Sequence, residues 1–226
     1  MHSTIIKRDF PWLFTPPWIL SNLFGGFLLC RRQRICRLLK SGNIIPDVVD
    51  KIPEDVLQVE YYNGVEADLG HILTAPTVYT PPVSIKWRLV DKKKIATIIL
   101  MDLDAPITDN PIDRSYVHWM LTNVKGEQFR KRNIVAAYQP VLVPKEDKGK
   151  HRLVFLCYIQ KGNITIEEKF DVKNGNPDKA VRSKFSHNKF AEKYDFARLT
   201  ALSWFTWSIT QILLTQLSTQ RHLKFN

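Results

Sequence analysis

Cysteine is scarce: Cys30, Cys36 and Cys157 are the full complement, and no two of them form a C-x-x-C pair. That excludes a disulfide framework and a thiolate zinc site, and makes a reducing, cytoplasmic compartment the default expectation. The histidines show no H-E-x-x-H and no other metal-ligand spacing, so neither a metal nor a cofactor is expected. G-x-S-x-G, Walker A and G-x-G-x-x-G patterns are missing as well. Hydrolase, nucleotide-binding and dehydrogenase readings therefore lack a motif, and the chain is expected not to be an enzyme. Acidic residues are also in short supply, 22 against 33 lysines and arginines, which leaves a net charge of +11. Such an excess attracts phosphates on small ligands, membranes or RNA and says nothing about fold. The runs Lys92 to Lys94 and Arg130 to Arg132 have no interleaved aromatics on which bases would stack.

A long uninterrupted apolar run is missing too. Phe10 to Cys30 carries no charge, but Pro11, Pro16 and Pro17 break it and leave only Trp18 to Cys30. That stretch falls short of the roughly 20 residues a membrane span needs. Arginines follow the apolar stretch instead of preceding it, and no small-x-small cleavage site closes it, so a signal peptide is not expected. Residues 1–43 read as an extension that is apolar around Trp18 and Phe24 and basic at Arg31, Arg32, Arg34 and Arg37. Such a segment suits an anionic membrane surface or a protein partner, or packs on its own domain.

What is present describes a folded domain over residues 44–226. The chain has 226 residues, 44% of them hydrophobic, with 13 prolines, 12 phenylalanines, 7 tyrosines and 6 tryptophans. That balance predicts a mainly β or α+β fold with aromatic packing. Val56 to Tyr62 reads as a strand entering a tight turn at Asn63-Gly64, and Val83 to Leu89, Ile95 to Met101, Val117 to Asn123 and Leu153 to Gln160 as further strands. Ser186 to Tyr194 and Ala201 to Leu217 show apolar residues near helical spacing without proline or glycine, and read as closing helices.

The densest polar group beside an apolar strand is Asp102-Leu103-Asp104-Ala105-Pro106. Carboxylates at i and i+2 of an extended segment share a face. In one reading the two bind backbone N–H groups in a turn, as aspartates commonly do. In the other they orient histidine partners, for which His118 and His151, each at the head of a predicted strand, are the candidates. Asn163-Ile164-Thr165 is a glycosylation pattern that matters only in a secreted protein.

In this order and these residues the chain resembles the phosphatidylethanolamine-binding proteins, also called Raf kinase inhibitor proteins. Asp102 to Pro106 is similar to the family's D-P-D-A-P motif, Arg114 through His118 to its R-x-W-H-H strand, and Gly149-Lys150-His151-Arg152 to its G-x-H-R motif. The resemblance implies an antiparallel β-sandwich with C-terminal helices and a small pocket for phospholipid head groups or phosphorylated protein segments. It implies a binding module, a candidate signalling regulator, with Asp102, Asp104, His118 and His151 lining the pocket and Pro111 and Tyr116 at its rim. Leu103, Val117 and Leu153 stand where the family has other residues. They keep an alternative open: an altered pocket in a structural or RNA-associated protein, like the family's relative in the mitochondrial large ribosomal subunit.

Overall fold

In the computed structural model the described residues are 17–87, 94–126, 132–141, 147, 149–171 and 177–207, without the side chains of 17–28 and 63. The chain divides into two compact units, Met1–Ile52 and Pro53–Asn226.

The first unit holds α1 (Pro17–Ser41) and the short turn α2 (Ile44–Asp47). Proline is tolerated at the first helical position, so Pro17 begins the helix that the sequence had it breaking. The apolar and basic stretches are consequently one continuous helix and not a short segment with a charged tail. Lys40 lies in its last turn, favourable to the helix dipole, and the left-handed Asn43 follows its end. Arg32, Arg34 and Arg37 are exposed and Arg31 is half-buried, while the side chains of Trp18 and Phe24 lie outside the described residues. No helix among the described residues is long and apolar enough to cross a membrane.

The second unit is built on a seven-stranded sheet with path order β1-β9-β8-β5-β6-β7 and β3 beside β9. Its strands are β1 (Asp55–Val56), β3 (His71–Leu73), β5 (Ile95–Asp102), β6 (Tyr116–Lys125), β7 (Asn133–Ala136), β8 (His151–Gln160) and β9 (Arg198–Trp207). A second sheet pairs β2 (Gln58–Glu60) with β4 (Ser84–Lys86). The central strands β5, β6, β8 and β9 run antiparallel, but β1 and β3 both join β9 in parallel, so the large sheet is mixed. The predicted tight turn is realised as a 3-10 turn at Tyr62–Gly64, where Gly64 takes φ 72°.

Alternation places Leu153, Phe155, Cys157 and Ile159 of β8 on one face, in one core with Ile98 and Leu100 of β5, Val59 and Ile85 of the small sheet, and Trp87 just beyond β4. The opposite face of β8 presents Tyr158 to an aromatic layer. Its ring lies 5.6 Å from Phe196, which lies 5.8 Å from Phe190 of helix α5 (His187–Lys193). The short helix α3 (Ala75–Val78) follows β3, and α4 (Lys179–Arg182), which Asp178 caps by accepting from the Ala180 amide, precedes α5. The predicted helix Ser186 to Tyr194 is α5, with Ser186 as its N-cap.

The expected helix Ala201 to Leu217 is overturned as far as Trp207, because Arg198–Trp207 is the strand β9. β9 lies between β8 and the β1/β3 edge, and seven of its ten residues, including the whole run Thr200 to Phe205, are buried. A strand covered on both faces is apolar on both, so its polar-apolar alternation disappears and a helical spacing emerges by accident. Residues 208–217 of that expectation lie outside the described residues.

Candidate functional site

The ends of β5, β6 and β8 converge at one point of the sheet. Asp102 closes β5 opposite Tyr116 on one side and Leu153 on the other, which brings His118 and His151 to its carboxylate. His151 is buried, with Nδ1 2.7 Å from Asp102 Oδ2 and Nε2 2.8 Å from Asp147 Oδ2. A carboxylate can only accept, so both ring nitrogens are donors and the ring is an imidazolium. Burial alone would lower its pKa, but hydrogen bonds and charge from Asp102 and Asp147 prevail and raise it.

His118 is in the opposite state. Burial lowers its pKa, against the opposing pull of Asp102 and of its bond to the Gln139 carbonyl. In the neutral ring Nδ1–H donates to that carbonyl at 3.0 Å, which leaves Nε2 as an acceptor 4.0 Å from Asp102 Oδ2. Two acceptors thus face each other across a gap suited to a hydrogen-bond donor. Tyr116 donates to Gln139 Oε1 at 2.6 Å and sets its ring edge-on to His118, centroids 5.1 Å apart.

These groups line a cavity of about 220 Å³, with Asp102, Tyr116, His118 and His151 joined by Gln139, Asp113 and Lys179. Ala105, Pro106, Pro140 and Val141 supply its apolar wall. Lys179 Nζ pairs with Asp113 Oδ2 at 2.8 Å and remains largely exposed at the rim.

Two of the expected residues sit elsewhere. Pro111 is not among the lining residues, and Asp104 faces away, its carboxylate held by the Arg152 backbone amide and guanidinium at 2.7–2.9 Å. Asp102 Oδ1 meanwhile accepts the Asp104 amide at 2.8 Å. The two carboxylates therefore divide the alternatives the sequence left open: Asp102 accepts an amide within its own turn and also orients a histidine, whereas Asp104 is held by Arg152 of β8. Leu103, Val117 and Leu153 are fully buried and absent from the lining, so these differences are accommodated in the core.

Sequence reasoning missed four residues that matter here. Lys179 and Gln139 carry no local motif. Arg182 is wholly buried behind β6, donating to the carbonyls of Phe170, Val117 and Ala137 and pairing with Asp171. Asp147 sits in the charged run Lys145 to Lys150, which reads as solvated surface. Its only local signal is the Asp147-x-Gly149 spacing of an Asx turn, realised by the Gly149 amide at 2.8 Å. Among the described residues no cluster of His, Cys, Asp and Glu is arranged to hold a metal ion.

A two-layer β-domain with a small mixed-charge pocket at the ends of its central strands is the class these features define. Residues 56–196 match the family model of the phosphatidylethanolamine-binding protein, and the chain belongs to that family. It is 30% identical over 181 residues to a putative odorant-binding protein A5 of Drosophila melanogaster, covering 78% of this chain and 83% of the relative. Among solved structures, carboxypeptidase Y inhibitor in complex with its proteinase superposes with TM-score 0.64 at 21% identity, covering 78% of this chain and 96% of the inhibitor. The phosphatidylethanolamine-binding protein of Plasmodium vivax does so with TM-score 0.57 at 22% identity, covering 76% and 96% of the two chains.

Proposed function

We propose that the protein is a non-enzymatic binding module whose pocket takes a phosphate-bearing head group that also carries an amine. The observation behind this reading is the pair of acceptors, His118 Nε2 and Asp102 Oδ2, 4.0 Å apart at the cavity wall. An ammonium placed between them satisfies both, and the negative charge of Asp102 makes those bonds charge-assisted. Lys179 at the rim is the cation available to the phosphate end. The lining therefore offers both signs of charge, as a zwitterion requires, and the family resemblance of the surrounding motifs supports the same ligand class. The exposed Arg32, Arg34 and Arg37 on α1 support a supplementary contact with an anionic membrane.

Calorimetric titration with phosphoethanolamine, ethanolamine and inorganic phosphate tests the pocket. Phosphoethanolamine should bind most tightly and phosphate least. Asp102→Asn should weaken both amines about tenfold, equivalent to about 1.4 kcal/mol. Lys179→Ala should weaken phosphoethanolamine alone. Absence of saturable binding by the folded wild type would defeat this reading, and RNA binding that falls steeply with salt would then favour the scaffold alternative.

A further inference from the structure

Asp147 is held on both carboxylate oxygens by Thr108, Gly149 and His151. Its Oδ2 accepts the Thr108 backbone amide at 2.9 Å and lies 2.8 Å from His151 Nε2. Its Oδ1 accepts the Thr108 hydroxyl at 2.7 Å and the Gly149 amide at 2.8 Å. Two backbone amides, a hydroxyl and an imidazolium, drawn from Thr108 on one segment and from Gly149 and His151 on the segment that carries Asp147 itself, make up the donor set with which proteins bind oxyanions. Gly149 is needed for its closeness: a Cβ there would stand 1.7 Å from Thr108 Oγ1, so no larger residue lets Thr108 reach the carboxylate from that side. The Asp147 side chain is buried, and the imidazolium it holds lines the neighbouring cavity.

We infer that Asp147 is a resident anion: its carboxylate fills an oxyanion cradle formed by Thr108, Gly149 and His151, and so determines that the adjoining pocket selects for an amine and against a free anion. With Asp102 on one nitrogen and Asp147 on the other, His151 has no N–H left to offer a ligand. The imidazolium is neutralised twice over, and the interior end of the pocket repels an incoming phosphate while attracting a cation. A ligand carrying both groups is thereby oriented with its phosphate outward, toward Lys179. That last consequence rests on the head-group reading above; the filled cradle does not.

The test uses the full chain, with formate and inorganic phosphate as probes and the His151 ring signals in NMR as the readout. In the wild type neither probe should move those signals. Asp147→Gly, which empties the cradle, should bind formate saturably with a His151 shift, and its affinity for phosphate relative to ethanolamine should rise about tenfold or more. Equal His151 shifts in wild type and variant, or a folded variant that binds neither probe, would overturn the inference. Should Asp147→Gly fold poorly, refolding with formate or with its neutral analogue formamide decides the matter. Recovery with formate alone supports an anion cradle, and recovery with neither or with both equally overturns it. Failure of the wild type to bind phosphoethanolamine would count against the head-group reading only.

Discussion

His118 and His151 lie beside the same carboxylate and depart from the ordinary histidine pKa in opposite directions. The two shifts have opposite consequences for stability. Folding raises the pKa of His151, so its contribution is complete below the unfolded value of about 6.5 and is lost as pH rises through the folded one. Folding lowers the pKa of His118, so the unfolded state takes up a proton first and stability declines as pH falls below about 6.5. Urea unfolding across pH should therefore show a maximum near about pH 6.5. His151→Gln should flatten the alkaline side of that maximum and His118→Asn the acid side. A profile unchanged by either substitution would contradict the assigned protonation states. Arg182 is the other residue on which the site depends. Arg182→Met removes its bonds to four carbonyls, those of Phe170, Val117, His118 and Ala137, and leaves Asp171 without its cation, and should cost about 3–5 kcal/mol in denaturant unfolding. Little of this was legible in the sequence. His118 and His151 were, because each heads an apolar strand next to an acidic turn. Asp147 and Arg182 look like ordinary surface charges, and only the fold brings Thr108 to one and Val117 to the other.

Among the elements, β5, β6 and β8 were readable because charged or proline-rich segments bound short β-branched and aromatic runs. Helix α5 was readable from Ser186 at its head. β9 was not, since burial on both faces removes the period-two pattern that marks a strand. β1 and β3, of two and three residues, are too short for any periodicity and exist because β9 provides their partner. This dependence can be measured. Phe205 is fully buried, with its ring 6.2 Å from Phe155 and 6.1 Å from Tyr61. Phe205→Ala should destabilise the domain by about 3–5 kcal/mol, and in the wild type the amides of β9 should be among the slowest to exchange with solvent. Fast exchange over 199–206 would be incompatible with a central strand.

Across the whole molecule, the division at Ile52 separates a basic helical unit from the sheet that carries the pocket. Each unit has a distinct task under the proposed function, and removing Met1–Ile52 should leave a cooperatively unfolding domain with unchanged phosphoethanolamine affinity. The same truncation should abolish association with phosphatidylserine vesicles in a flotation assay, because the exposed arginines of α1 go with it. Loss of cooperative unfolding would show instead that the helical unit belongs to the core.

The position of β9 also bears on how the protein is made. It is the last described strand in sequence, yet it is hydrogen-bonded to β8 on one side and to both β1 and β3 on the other. During synthesis the first strands emerge long before the strand they pair with, and β8 offers an open edge until β9 has left the ribosome. A chain that stalls or is cleaved before Arg198 therefore lacks one strand and the link between β8 and the β1/β3 edge as well, and exposes the sheet edges from which aggregation begins.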